Sequence, residues 1–271
     1  MRSVFTAGVL EFLLEKGVQI PNVLAVSAGA YAGMNYVSGQ LGRMLEAVIE
    51  PLGEYKYMGP RVFLKKGTLF DMDYLFDEVP KGKAPFDFQG FQNSGKRFIT
   101  NTVNCETGEC VYHDHFEDEE EFFRVCKAAN SLPFIARISQ IGGVPALDGG
   151  MAEPVPIRKA VEEGWKKIIM VFTRDASYRK KNRWLYILGI RLVYRKYPKF
   201  VELIRTRAKR YNEELDQVAE LERQGRVFVF RPTAMTVNNN ESNVDRLKAY
   251  YQHGYETARQ QYGALMSFLE S

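Results

Sequence analysis

Three cysteines, three histidines and two tryptophans in 271 residues exclude several kinds of chemistry at the outset. An odd and small number of cysteines is no disulfide framework, and with no secretory segment at the start the thiols are expected to be reduced in a cytoplasmic protein. His113 and His115 share a strand face, and Cys105 and Cys110 flank the same hairpin. That cysteine spacing matches no common zinc site, so these residues read as exposed hairpin positions. The acidic run 114–121 lacks the glycine-centred spacing of a calcium loop and reads as a solvated helix start. Long apolar runs are missing as well. Residues 17–42 carry no formal charge, yet five glycines, Pro21, Asn22, Asn35, two glutamines and two serines break them up. The apolar run 184–190 has seven residues, too few to span a bilayer.

What is present is an ordinary globular composition, with 45% hydrophobic, 26% charged and 13% aromatic residues. A chain of this length buries roughly 75% of the surface its unfolded form exposes, enough for a core without disulfides or a structural metal. The net charge of +4 is unevenly spread. Residues 179–210 hold twelve Lys or Arg against one acid, Glu202, a net +11, so the remainder of the chain carries −7. A basic stretch on an acidic body points to an anionic partner on one face.

Apolar periodicity predicts a helix over 3–17, with Val9, Leu10, Leu13 and Leu14 at helical spacing and Gly17 as its stop. A short buried strand over 22–26 runs with no conventional loop into a small-residue helix at 27–36. Further helices are expected at 40–52, 117–129, 155–164 and 242–269, with an irregular region over 55–92. Strands are expected at 97–104 and 110–115 around the turn Glu106-Thr-Gly-Glu109, and at 145–148, 167–173 and 227–231. The basic stretch reads as one long amphipathic helix reaching about residue 224. Strands alternating with helices imply a parallel or mixed sheet between helical layers, in a single domain spanning 1–271 with no repeat and no linker.

Two motifs carry chemistry. Ala25-Val-Ser27-Ala-Gly29 sits between a buried strand and a helix and has the form of a nucleophile elbow. The serine must occupy a strained turn, and small residues two positions either side, Ala25 and Gly29, let strand and helix approach. Ala25 stands where the pattern usually has glycine. Asp148-Gly149-Gly150 ends a short strand after Pro145, and a carboxylate followed by glycines allows the close approach a general base needs. Each motif also has a bland reading, a small-residue packing turn for the first and an Asp-Gly turn for the second.

Taken together with Thr6-Ala-Gly-Val-Leu10, the hairpin at 106–109, Ala128-Ala-Asn-Ser-Leu-Pro-Phe134 and Leu147-Asp-Gly-Gly-Met-Ala-Glu-Pro-Val-Pro156, the chain resembles the bacterial patatin-like phospholipases over nearly its whole length. The resemblance implies an α/β, three-layer α/β/α fold with a mostly parallel central sheet, and a Ser-Asp dyad that uses no histidine. It implies Ser27 as nucleophile, Asp148 as general base, and hydrolysis of lipid or other carboxylic esters through an acyl-enzyme. No metal or organic cofactor is implied. Members of this family place a glycine-rich loop, Gly-Gly-Gly-x-Arg/Lys-Gly, after their first strand to form the oxyanion hole. Here Arg2 and Ser3 correspond only to its end, so the first strand and glycines are absent from this sequence. The expectation is that the natural chain starts upstream of Met1. The alternative is a non-catalytic lipid- or protein-binding relative without a complete oxyanion hole.

A Ser27, Asp148, His253 triad is a weaker scheme, because His253 falls mid-helix where a triad histidine sits on a loop. Within the basic stretch, Trp184, Leu185 and Ile187 lie among cations, a composition suited to an anionic bilayer surface. Lys180, Lys181, Trp184, Arg191 and Arg195 are the membrane-facing candidates, with a solvated helix face as the bland reading. The protein would then be cytoplasmic and able to sit peripherally on the inner face of the membrane. Nucleic acid is not an expected partner, since the body is acidic and no recognition motif is visible.

Overall fold

The computed structural model describes residues 1–271. Helix α1 (Ser3–Glu15) ends before Gly17, which takes φ 65°, a left-handed conformation glycine adopts freely. Strand β1 (Asn22–Ala25) leads through Val26 and Ser27 into α2 (Ala28–Ser38). A π-helical turn (Leu45–Ile49) continues as α3 (Glu50–Glu54), and α4 (Pro60–Lys66) and α5 (Phe88–Asn93) lie in the region expected to be irregular. Strands β2 (Arg97–Asn104) and β3 (Cys110–His113) form the expected hairpin. Helix α6 (Glu119–Ala129) is capped by Asp118, whose carboxylate accepts the Glu121 N–H at 2.7 Å, and its first turn holds three acids at the positive end of the helix. Strands β4 (Ser139–Ile141) and β5 (Val144–Asp148) form a second hairpin through Gly142 and Gly143, at φ 56° and 79°. Strand β4 is an addition to the sequence expectation. Helix α7 (Ile157–Glu162), β6 (Ile168–Val171), α8 (Trp184–Val193), α9 (Pro198–Arg223), β7 (Val227–Phe230) and α10 (Val244–Glu270) complete the chain.

The basic stretch is two helices, where one was expected. Pro198 has no N–H to continue a helix and drives Tyr197 to φ −118°, ψ 72°, which separates α8 from α9.

The sheet is mixed. Strand β2 pairs with β1 in parallel over Arg97–Thr100, with β3 antiparallel over Thr100–Val103, and with β5 antiparallel over Thr102–Asn104. Thr100 and Thr102 each have a β3 partner on one edge, so β1 and β5 share the other edge and approach end to end. Ala25 lies opposite Thr100 and Asp148 opposite Thr102. Strands β6 and β7 pair in parallel as a separate two-stranded sheet.

Alternation along β2 divides the interior between two helical layers. Phe98 points into the large core containing α1 and α2, whereas Val103 joins Leu147, Ile190, Phe200 and Ile204 beneath α8 and α9. The result is a three-layer α/β/α fold. Helices α1 and α10 cross at a pair of reciprocal glycines. A Cβ on Gly8 would lie 2.0 Å from the Tyr251 carbonyl oxygen, and one on Gly254 would lie 2.1 Å from that of Phe5. No helix is long and apolar enough to cross a membrane.

Candidate active site

Ser27 caps α2 with φ 54° and ψ −134°, a region costing on the order of 1–3 kcal/mol for a residue with a side chain. The turn is fastened by the Gly29 N–H on Val26 O at 2.9 Å and the Ala30 N–H on Ser27 O at 2.8 Å. The Ala28 N–H is the first of the helix and has no intrahelical acceptor. This conformation lifts the half-buried Ser27 hydroxyl toward the end of β5, where Oγ donates to Asp148 Oδ2.

Asp148 is completely buried. Its other oxygen, Oδ1, accepts the Gly150 N–H at 2.7 Å, and its own N–H donates to Ser131 O at 3.0 Å. Burial pushes its carboxyl up to about 6, against the opposing pull of the Ser27 and Gly150 hydrogen bonds and the Arg207 charge. At Gly149 a Cβ would fall 2.3 Å from the Asn101 side chain, so the turn after Asp148 lies close against β2.

Gly29 does not have the role the sequence assigned to it. A Cβ at Gly29 meets nothing within 4 Å, whereas one at Gly33, a turn later, would press at 3.2 Å on Ala25 Cβ and Val23 Cγ1. Gly33 is therefore the glycine that lets α2 lie on β1, and the space at Gly29 beside the hydroxyl stays open. Ala25 is buried under that contact.

Several residues beside the dyad were invisible to sequence reasoning. Arg207 Nε donates to Gly150 O at 2.8 Å. Arg210 donates from Nε to Ala152 O at 3.2 Å and from Nη2 to Met151 O at 3.1 Å. Two arginines of α9 thus hold three successive carbonyls just after the buried carboxylate, so part of the basic stretch serves the interior. Tyr186 of α8 lies within electrostatic reach of Asp148 and Arg207; burial raises its phenol, Arg207 opposes this, and Asp148 adds to it. Phe134 sits at φ 65°, donates its N–H to Tyr194 Oη at 3.2 Å, and packs edge-on against Tyr186 and Tyr194. Its only sequence signal was the segment 128–134.

Other candidates lie elsewhere. Arg2 Nε donates to Val237 O at 3.3 Å, and Ser3 is buried in the first turn of α1; neither hydrogen-bonds Ser27 or Asp148. His253 accepts the Thr233 N–H at 3.2 Å and packs on Phe5, so it takes no part in a triad with Ser27. Of the hairpin side chains, His115 is exposed as expected, and the other three are less so. Cys105 is buried, Cys110 half-buried, and burial pushes both thiols up to about 12. His113 Nε2 is 2.8 Å from Thr102 Oγ1, and burial lowers its pKa. Lys180 turns inward over the Tyr211 ring at 5.4 Å, with its ammonium lowered to about 8 by burial, and so leaves the outward-facing set. Lys181, Trp184, Arg191 and Arg195 are exposed.

Ser27, in a strained turn between β1 and α2, thus bonds a buried carboxylate at the end of β5 in a three-layer α/β/α fold. Residues 1–161 match the Patatin-like phospholipase family, and residues 197–270 match a domain of unknown function (DUF6363). The first match covers more than half of the chain, which therefore belongs to the patatin-like phospholipase family, a family of lipid acyl hydrolases. The chain is also similar to the uncharacterized protein YjjU of Escherichia coli (strain K12), at 24% identity over 196 residues. That similarity covers 68% of this chain and 54% of YjjU, so the chain spans about half the length of that curated relative.

Proposed function

We propose that this protein hydrolyses carboxylic esters of lipids, as a lysophospholipase, phospholipase A or esterase, with Ser27 as nucleophile and Asp148 as general base. The observation that carries this reading is the Ser27 hydroxyl, held in a left-handed elbow and donating to a carboxylate with no solvent exposure.

The chemistry follows from those groups. As Ser27 Oγ attacks the ester carbonyl carbon, its proton passes to Asp148 Oδ2, and the carbonyl π electrons move onto oxygen. The Ala28 N–H, free of the helix ladder, is a donor for that oxyanion; a single such donor is commonly worth about 10² to 10³ in rate. Collapse of the tetrahedral centre breaks the bond to the alcohol, which takes the proton from Asp148. Water then attacks the acyl-Ser27 ester, gives its proton to Asp148, and the proton returns to Ser27 as the acid departs. A carboxylate is a weak base in water, and burial brings Asp148 closer to the pH at which it must act. Gly150 N–H and Arg207 keep its second oxygen and following turn in place during transfer.

Turnover of a short p-nitrophenyl ester and of a lysophospholipid by the full chain tests this reading. Both activities are expected to vanish in Ser27→Ala and in Asp148→Asn. Lipid binding without turnover by the wild-type chain would favour a non-catalytic binding role.

A further inference from the structure

Helix α8 is apolar on both sides. Inward, Ile190 is buried and Tyr186 packs on Phe134. Outward, Trp184 is 71% exposed, and Leu185, Leu192 and Val193 are exposed by 64–65%. A surface helix of a globular domain ordinarily turns polar residues outward, so this face is unpartnered. A second such face stands on α4, where Phe63 is 51% and Leu64 85% exposed.

The two helices flank one segment, 131–137. Ser131 O accepts the Asp148 N–H at its base, Phe134 meets α8 at Tyr186 and Gly189, and Ile135 O accepts the Leu69 N–H just beyond α4. Arg137 Nη2 reaches Lys66 O at 3.0 Å. Both helices therefore adjoin one segment, whose base bonds the backbone of Asp148. Between α4 and α6 lies a cleft of about 520 Å³ lined by Lys65, Lys66, Arg124, Lys127 and Arg137. Asp71 and Asp73 also line it, ion-paired to Lys66 and Lys127. Lys65 and Arg137 form no ion pair.

The charge says what covers this surface. Residues 179–196 contain seven cations and no acid, and α4 contains three cations and no acid. A second copy docked through the same face would set these cations against each other. An anionic bilayer matches them: apolar side chains enter the headgroup boundary while Lys and Arg meet lipid phosphates. We propose that α8 and α4 form one docking platform for an anionic phospholipid bilayer, with the cleft beside α4 taking headgroup phosphate, so that lipid is held beside segment 131–137, whose base bonds Asp148. This rests on the lipid-ester reading for its purpose, not for its geometry.

Vesicle co-sedimentation of the full chain tests it, with phosphatidylcholine alone and phosphatidylcholine mixed with phosphatidylglycerol. Binding is expected to the mixed vesicles. The pair Arg191→Glu, Arg195→Glu should weaken it by roughly thirtyfold or more, since both substitutions replace attraction with repulsion. The pairs Trp184→Ser, Leu185→Ser and Phe63→Ser, Leu64→Ser should each reduce binding to the mixed vesicles, and all three variants should retain turnover of the soluble short ester. Ser27→Ala should bind like wild type. No binding by wild type, or binding unchanged in all three pairs, overturns the platform whatever the ester assay shows. A dimer in light scattering that the Trp184 and Leu185 pair dissolves would assign the face to a second copy and overturn it too.

Discussion

Ser27 and Asp148 are 121 positions apart in sequence, yet the hydroxyl of one donates to the carboxylate of the other because their strands meet end to end on one edge of β2. Ala25 faces Thr100 and Asp148 faces Thr102, so one strand register places both groups. A slip of one residue in either pairing would turn the side chains to the opposite face and separate the dyad.

In the proposed reaction Asp148 is ionised when it accepts the Ser27 proton, so the acid limb of kcat/KM for a soluble ester is expected near pH 6, where burial has moved its carboxyl. Below that, the rate should fall about tenfold per pH unit, as for one protonation. A limb near the ordinary carboxylate range would show that another group governs the reaction.

The same burial costs stability. A carboxyl raised from 3.8 to about 6 disfavours the folded state once it ionises, so the cost is full above about pH 6 and fades as the pH falls toward 4. Asp148→Asn should therefore unfold at higher temperature than wild type near pH 8, by on the order of 1–3 kcal/mol, and show little gain near pH 4. Scanning calorimetry at both pH values checks the sign.

Arg207 holds the turn after Asp148 through Gly150 O. Arg207→Gln removes the bond to Gly150 O and the charge beside Asp148, whose other neighbours are Ser27, the Gly150 N–H and Tyr186. It should lower kcat by roughly 100-fold and move the acid limb above pH 6. Arg207→Lys should return the limb toward wild type while restoring only part of the rate. A loss of rate with the limb unmoved would mean that Arg207 acts on packing alone.

At the crossing of α1 and α10, Gly8→Ala and Gly254→Ala should each cost about 1–3 kcal/mol or more, because each Cβ meets a backbone carbonyl. Gly263→Ala, on the same α10 but facing open space, should be neutral or stabilising by up to about 1 kcal/mol. Urea midpoints of the three variants distinguish a local contact from a general effect of glycine in helices.

Local signals made much of this legible in the sequence. The strand before Ser27, the turn at 106–109 and the Asp-Gly-Gly turn all depend on nearby residues, and each appears where expected, although in the strand only Ala25 is buried, where a wholly buried run was expected. What was not legible depends on partners distant in the chain. The contact Gly33 makes with Val23 and Phe98 cannot be told from periodicity, which is why Gly29 was assigned its role. Arg207 and Arg210 look like the other cations of the basic stretch until α9 lies over the turn after Asp148. Lys180 resembles Lys181 until Tyr211 comes beneath it.

Treating the full chain with a fluorophosphonate and mapping the adduct by peptide mass spectrometry tests the central claim most directly. The account predicts a single adduct on Ser27, absent in Ser27→Ala and strongly slowed in Asp148→Asn. An adduct on another residue, or ester turnover that persists in Ser27→Ala, would contradict it.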